Sequence, residues 1–453
     1  MSARSTFKYP YPEDLDINID RVMTLIGDYY MLNRSAVNTD TDKLVKCLQH
    51  ELNAKVYEAT AGAESLSWLI PNNWHVRNGR LKTMSGEVVV DFDDNPLHLW
   101  THSVSFSGEI DRDTLINKHV STDKNRPCEF TYEYRNGYRS GVREWGFSIP
   151  YNIVKGMKDE RYIVEIDTDL DTNNTLKVVD AFLPGKHKET IFIMAHTCHP
   201  GLVSDGLGCI AIAVEIYNWL KGRNDLKYSY RFIFGPEYFG ALGWLTSAPQ
   251  LDIDNLSFGI YLDMLTTDEP IGYQNSMHGD SIMDYSVKNI FTSHFPSCVS
   301  KDYRQLWGND ETFYNGPGFG IPTIGVGRAM HREYHYNTDN LENVNKHSIK
   351  ESFWGLSRLI GSFEDDYIPV LKYKGPLCLS RYGLYIDPTR DPEGYQNIEH
   401  MQNYVNGSRS CMDIANKLEI DFYFVKSFFD KAHEKGLIDK LDREPMKSDR
   451  GSS

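Results

Sequence analysis

The spacing of apolar positions changes character twice along the chain. Between 17 and 30, Ile19, Val22, Met23, Leu25 and Ile26 share one face at helical spacing, and between 41 and 53 Leu44, Val45, Leu48 and Leu52 do the same. Both patterns predict amphipathic helices, and Asp40 or Thr41 stands where a cap for the second is expected. From about 69 the runs become short, alternating and aromatic-rich, as in "WLIPNNWHVRNGRL", "EVVVDF" and "LHLWTHSVSFSGEI". Bounded by Asn, Gly, Pro and Asp, they read as strands and hairpins, with a hairpin turn expected at Asn136-Gly137. "RYIVEIDTDL" and "TLKVVDAFL" extend the series.

After Pro184 the apolar runs become continuous. "TIFIMAH", "YSYRFIFG", "FGIYLDML" and "IPTIGVG" read as buried strands. Between and after them come helical segments: "GCIAIAVEIYNWLKG", "FGALGWLTS", "SIMDYSVKNIFTSH" and "HSIKESFWGLSRLIGSFEDDY". This alternation predicts an α/β fold, a mostly parallel sheet flanked by helices. In such sheets ligands collect just beyond the C-terminal ends of the strands. The segment "SCMDIANKLEIDFYFVKSFFDKAHEKGLI" reads as helix, turn, helix and a short end strand, the shape of a winged helix. The expected plan is an α/β catalytic domain from 1–67 and 175–370, an inserted mostly-β domain at 68–174, and a winged-helix domain at 375–453.

Composition narrows the function classes. The chain has 453 residues, 40% of them hydrophobic and 25% charged, as expected of a globular protein of more than one domain. Its formal charge of −15 disfavours nucleic-acid binding. The winged-helix segment is neutral, with 13 Lys/Arg and 13 Asp/Glu from residue 371 onward, where a DNA reader is usually basic. No apolar run approaches a membrane span, and residues 1–14 lack an apolar signal region. The seven cysteines are scattered without a CxxC pair, which excludes a Cys-rich zinc cluster and fits a reducing cytoplasm. Residues 447–453 are expected to be disordered. Oligomeric state, a homo-oligomer included, is left open.

Four polar clusters follow predicted strands: His196, His199 and Asp205; Glu237; Asp263; and "REYHYNTDN", which carries His335 and Asp339. Each alone has a plain structural explanation, as a hydrogen-bonded turn or a helix N-terminus. Together they bring imidazoles and carboxylates to one sheet edge, as a zinc-type site requires. Such a site needs about three protein ligands and a carboxylate to take a proton from water. Cys198 has histidines beside it but no triad order, so it is not expected to act as a nucleophile.

"TIFIMAHTCHPGLVSDGLGCIAIAVEIYNWL", "RFIFGPEYFGALGWL", "YLDML", "GNDE" and "EYHYNTDNLENV" together resemble a bacterial family of aminopeptidase-like proteins, labelled as polysaccharide-biosynthesis proteins. That family has an inserted β-domain and a C-terminal winged helix, and is related to the zinc aminopeptidases and glutaminyl cyclases. The resemblance implies a zinc-exopeptidase-like fold, His199, Asp205 and His335 as metal ligands with His196 in competition, and Glu237 as general base. It implies one zinc ion rather than two, because Tyr238 stands where a second carboxylate would bind and Cys198 where an aspartate would. Asp263, Asp310, Glu311 and Tyr238 are then expected to orient ligands or meet the substrate. The implied activity is hydrolysis of an amide or peptide bond in a small-molecule or peptide-like substrate. An amide cyclase, or a scaffold that has lost activity, remains as an alternative.

Overall fold

The computed structural model describes residues 17–139 and 141–445, so the expectations for 1–14 and 447–453 lie outside the described residues. Two helices, α1 (Ile19–Tyr29) and α2 (Thr39–Glu51), open the chain. The cap of α2 is Asn38, whose side chain accepts from Asp40 N, rather than Asp40 or Thr41. Strand β1 (Lys55–Thr60) and a small hairpin of β2 (Glu64–Ser65) and β3 (Trp68–Leu69) follow. A second sheet then forms from β4 (Asn73–Thr83), β5 (Val88–Asp91), β6 (Phe106–Asp111) and, after α3 (Arg112–Lys118), β7 (Val120–Ser121), β8 (Phe147–Ser148) and α4 (Tyr151–Gly156), from β9 (Arg161–Asp171). Its order is β5-β4-β9-β6, and it closes a core of its own around Trp74, Leu81, Tyr162 and Val164.

The expected hairpin at Asn136-Gly137 is a single 3-10 turn instead, Arg135–Tyr138. The residues before it pair with a loop about 200 positions later: Tyr132 N donates to His335 O over 2.8 Å, and Asn337 N to Phe130 O over 3.0 Å. That tertiary pairing overrides the local turn preference.

The main layer runs β10 (Thr175–Leu183), β11 (Thr190–His196), α5 (Leu207–Lys221), β12 (Ser229–Gly235), α6 (Phe239–Ser247), α7 (Gln250–Asn255), β13 (Leu256–Asp263), β14 (Ile271–Gln274), α8 (Ile282–His294), β15 (Val299–Lys301), α9 (Glu311–Asn315), β16 (Thr323–Arg328) and α10 (Lys346–Glu364). Its sheet has eight strands in the order β1-β10-β12-β11-β13-β16-β14-β15. The central four, β12, β11, β13 and β16, are parallel. Because both faces are covered, β11 is apolar throughout and splits by alternation. Ile191, Ile193 and Ala195 join the core under α1, α2, α5 and α10, while Phe192 and Met194 join the one under α6. With all four strands parallel, His196, Glu237, Asp263 and the 331–339 loop emerge at one edge.

The chain ends with β17 (Tyr367–Leu371), α11 (Pro392–Tyr404), α12 (Cys411–Leu418), α13 (Phe422–Glu434) and β18 (Ile438–Asp442), the last pairing antiparallel with β17. Met401, Ile414, Val425 and Phe429 are buried in the same core as α5 and α10. No helix among the described residues is long and apolar enough to cross a membrane.

Candidate metal centre

His196 is the last residue of β11, and the chain turns at once into a loop that returns at α5. Three features hold that loop. Arg34, wholly buried, donates to the carbonyls of Thr197 (2.9 Å), Cys198 (2.7 Å), His199 (2.6 Å) and Leu202 (2.7 Å), and back to Tyr29 O (3.1 Å). Burial pushes its guanidinium down to about 10, still charged at neutral pH. Asp339 accepts Ser204 N at 2.9 Å and Asp205 N at 3.2 Å, tying the 331–339 loop to the first. Gly206, at φ +99°, lets the backbone pass under His196, since a Cβ there would lie 2.6 Å from the imidazole.

Three groups of candidate ligands result: His196 with Cys198 and His199, and two triads, His199–Asp205–His335 and His196–Asp205–Asp263, that share Asp205. His335 Nε2 is 2.9 Å and His199 Nε2 3.8 Å from Asp205 Oδ2, while His196 Nε2 is 3.1 Å from Oδ1 and 4.0 Å from Asp263 Oδ1. In each triad the donor atoms lie within 4.8 Å of one another. His196 Nε2, His335 Nε2, Asp205 Oδ2 and Asp263 Oδ1 are buried and form no aligned hydrogen bond. Polar atoms this close yet off-line with one another are aimed at common points, which suits a cation. Backbone geometry is forced at the same places: His199, Tyr238, Met264 and His335 all have φ between +49° and +74°. Left-handed conformations cost a non-glycine residue on the order of 1 kcal/mol or more and cluster at functional sites.

Electrostatics divide the two triads: against the lowering effect of burial, the neighbouring Cys198 and Asp205 hold the His196 imidazole well above its usual range. Burial raises the Glu237 carboxyl, and burial with the neighbouring Asp205 charge raises Asp263 well above its ordinary range. His199 is held well below the usual imidazole range by burial, so it is neutral, as a metal ligand must be. Glu237, just past β12, sits with Oε2 3.8 Å from His199 Nε2 and accepts a hydrogen bond from the Tyr138 hydroxyl. Cys198 Sγ lies 3.1 Å from His199 Nδ1, 3.6 Å from His196 Nδ1 and 3.2 Å from Glu237 N. Its thiol is raised by burial, which favours this bridging role over nucleophilic attack.

The remaining residues singled out by sequence have other contacts. Asp310 Oδ1 accepts Ala241 N at 3.0 Å, and Glu311 accepts Asn309 N at 2.9 Å and the Gln274 amide at 3.2 Å. Tyr238 OH donates to Gly308 O at 2.5 Å, and its ring stacks on Trp68 with centroids 5.7 Å apart. Sequence reasoning passed over Arg34, which lies 162 positions before His196, together with the tyrosines of the segment between β7 and β8. Tyr132 packs on His199 (5.0 Å) and His335 (5.5 Å), and Tyr134 on His335 (5.0 Å). The one sequence signal was the density of tyrosine in "FTYEYRNGY".

Fold and donor set define the class: an aminopeptidase-like α/β protein with candidate His, Cys and Asp metal ligands. The chain belongs to the family described as a domain of unknown function (DUF4910), which matches residues 23–366. A Clostridium acetobutylicum protein named for polysaccharide biosynthesis and an aminopeptidase-like domain is 26% identical over 429 residues, 92% of this chain and 95% of its own length. A crystal structure from Clostridium acetobutylicum, described as a peptidase, superposes with a TM-score of 0.83 at 24% identity, covering 93% of this chain and 96% of that one. The zinc aminopeptidase BSAP of Bacillus subtilis shares the fold at a TM-score of 0.55 and 13% identity, over 77% of this chain and 95% of its own.

Proposed function

We propose that the protein is a metal-dependent hydrolase of an amide or peptide bond, with His199, Asp205 and His335 holding a zinc-type ion and Glu237 as general base. The observation that carries this is the convergence on Asp205 of buried imidazole and carboxylate atoms that form no aligned hydrogen bond, with a raised carboxylate 3.8 Å from one of them. A divalent ion, when bound, acidifies water and polarises a carbonyl. Glu237 takes the proton of the attacking water and delivers it to the leaving amine, a task its burial suits by bringing its pKa closer to neutral. Asp205 turns one oxygen to each triad, so His196 and Asp263 offer a second position to an ion or orient the first through Asp205. Asp310 and Glu311, fully buried and accepting Ala241 N and Asn309 N, are assigned to holding the loop before α9.

The catalytic unit is assigned to 1–67 and 175–370, with 68–174 as an insert that covers the site and 375–453 as an accessory module. The setting we assign is surface polysaccharide or secondary metabolite formation inside the cell, and the name of the Clostridium relative supports the polysaccharide part of it. The test is turnover of aminoacyl amides by zinc-loaded protein. Glu237→Gln should lower kcat by about 10²–10⁴-fold with zinc retained. Equal turnover in wild type and Glu237→Gln would refute the assignment.

A further inference from the structure

Beside the candidate base the two sheets leave a cleft of ≈ 400 Å³ that no metal ligand lines. That volume falls in the range of small-molecule sites. Its walls come from both parts of the chain. Trp68 stands on the β2–β3 hairpin, Leu170 on β9, Phe239 at the start of α6, and Tyr138 on the 3-10 turn. Tyr138 and Phe239 stack with centroids 5.6 Å apart, and Trp68 meets Phe239 edge-on at 5.9 Å. These packed rings form one apolar wall of the slot. Tyr138 is also the residue whose hydroxyl reaches Glu237, so the slot opens next to the candidate base.

The slot is cationic at its mouth. Arg139 and Arg143 line it, and no Asp or Glu does among the described residues, although the chain carries 63 acidic residues. Both arginines are exposed, and Arg139 makes no ion pair with a described residue. An adjoining polar cleft of ≈ 250 Å³ shares Arg139 and mixes Lys118 and Arg135 with Glu133 and Glu144, so the acid-free patch is the one around Arg139 and Arg143. Planar guanidinium groups recognise carboxylate oxygens through paired hydrogen bonds. In a chain of net charge −15 such a patch draws anions to one place.

We infer that this cleft is the specificity pocket, and that it takes a part of the substrate with an aromatic ring and a carboxylate, ring in the slot and acid against Arg139 and Arg143. The assignment of the occupant to a hydrolase substrate rests on the function proposed above; binding to the cleft does not.

Calorimetric titration of the full chain with indole-3-acetate, indole-3-acetamide and acetate tests it. The aromatic acid should bind about tenfold more tightly than its amide, and acetate should show no heat of binding. The double variant Arg139→Gln/Arg143→Gln should lose that tenfold preference with its thermal midpoint unchanged. Equal affinity for acid and amide, or binding of the acid that survives the double variant and disappears with a chelator, would overturn the proposal. Glu237→Gln separates the two claims. It should bind indole-3-acetate as the wild type does. Retained turnover in that variant would defeat the hydrolase reading and leave the pocket standing.

Discussion

His335 Nε2 lies 2.9 Å from Asp205 Oδ2, yet neither atom forms an aligned hydrogen bond. The two residues are 130 positions apart and arrive from different loops. Asp339, four residues after His335, grips the backbone of Ser204 and Asp205, so one loop supplies both a candidate ligand and the clamp for another.

This clamp makes Asp339 a positioning residue. Asp339→Asn keeps one acceptor oxygen but loses the charge that both amides share. Zinc affinity should fall by about 10–100-fold, the usual cost of disturbing a ligand's outer partner. Competition with a fluorescent chelator reads this directly. Unchanged affinity would show that the loop holds Asp205 without it.

Arg34 closes the other side of the same loop, and its five donors are all engaged. Lysine offers three donors from a point charge and cannot reproduce the fork. Arg34→Met should destabilise by about 3–5 kcal/mol, because several buried carbonyls lose their partner. Arg34→Lys should fall between it and the wild type. Urea unfolding measures both, and both should release zinc at lower denaturant than the wild type.

Asp310 distinguishes a structural from a substrate-binding acid. Its carboxyl is pushed up to about 7 by burial, against the pull of the backbone N–H groups it accepts. Asp310→Asn preserves the acceptor for Ala241 N and should leave KM unchanged. Asp310→Ala should cost about 1–3 kcal/mol for the stranded amide, with zinc content intact. A rise in KM for the Asn variant would return Asp310 to the role of meeting the substrate.

His102 gives the fold an acid sensitivity away from the metal ligands. Burial lowers its imidazole to about 4, with Asn136's backbone opposing that fall and Arg143 adding to it. Folded His102 is therefore neutral where an unfolded histidine, near pH 6.5, begins to take up a proton. Its stabilising contribution is full above pH 6.5 and is lost as pH falls from there toward 4, by about 3 kcal/mol at most. Comparing urea midpoints of wild type and His102→Asn across that window should give a smaller pH dependence for the variant.

The α/β layer was legible because its strands are buried on both faces and so read as unbroken apolar runs ending in polar clusters. His196, Glu237 and Asp263 could be placed at one edge from that pattern alone. His199 and His196 could not be ranked by spacing, and the structure gives each its own side of Asp205. Arg34 left no trace in the sequence, since its role consists entirely of contacts with carbonyls far along the chain. The turn at Asn136-Gly137 misled for a related reason. Local preference names a hairpin, but pairing of 130–132 with 335–337 sets the path and delivers Tyr138 to Glu237. The C-terminal helices show the correct order, yet their apolar faces join the main core, which periodicity does not reveal.

The most direct test of the metal centre is elemental analysis of the purified full chain beside Asp205→Asn and His335→Ala. Zinc should be bound to the wild type, in at least one equivalent, and lost in both variants. Zinc-free wild type after growth and dialysis in zinc-containing buffer, or zinc retained undiminished in His335→Ala, would contradict it.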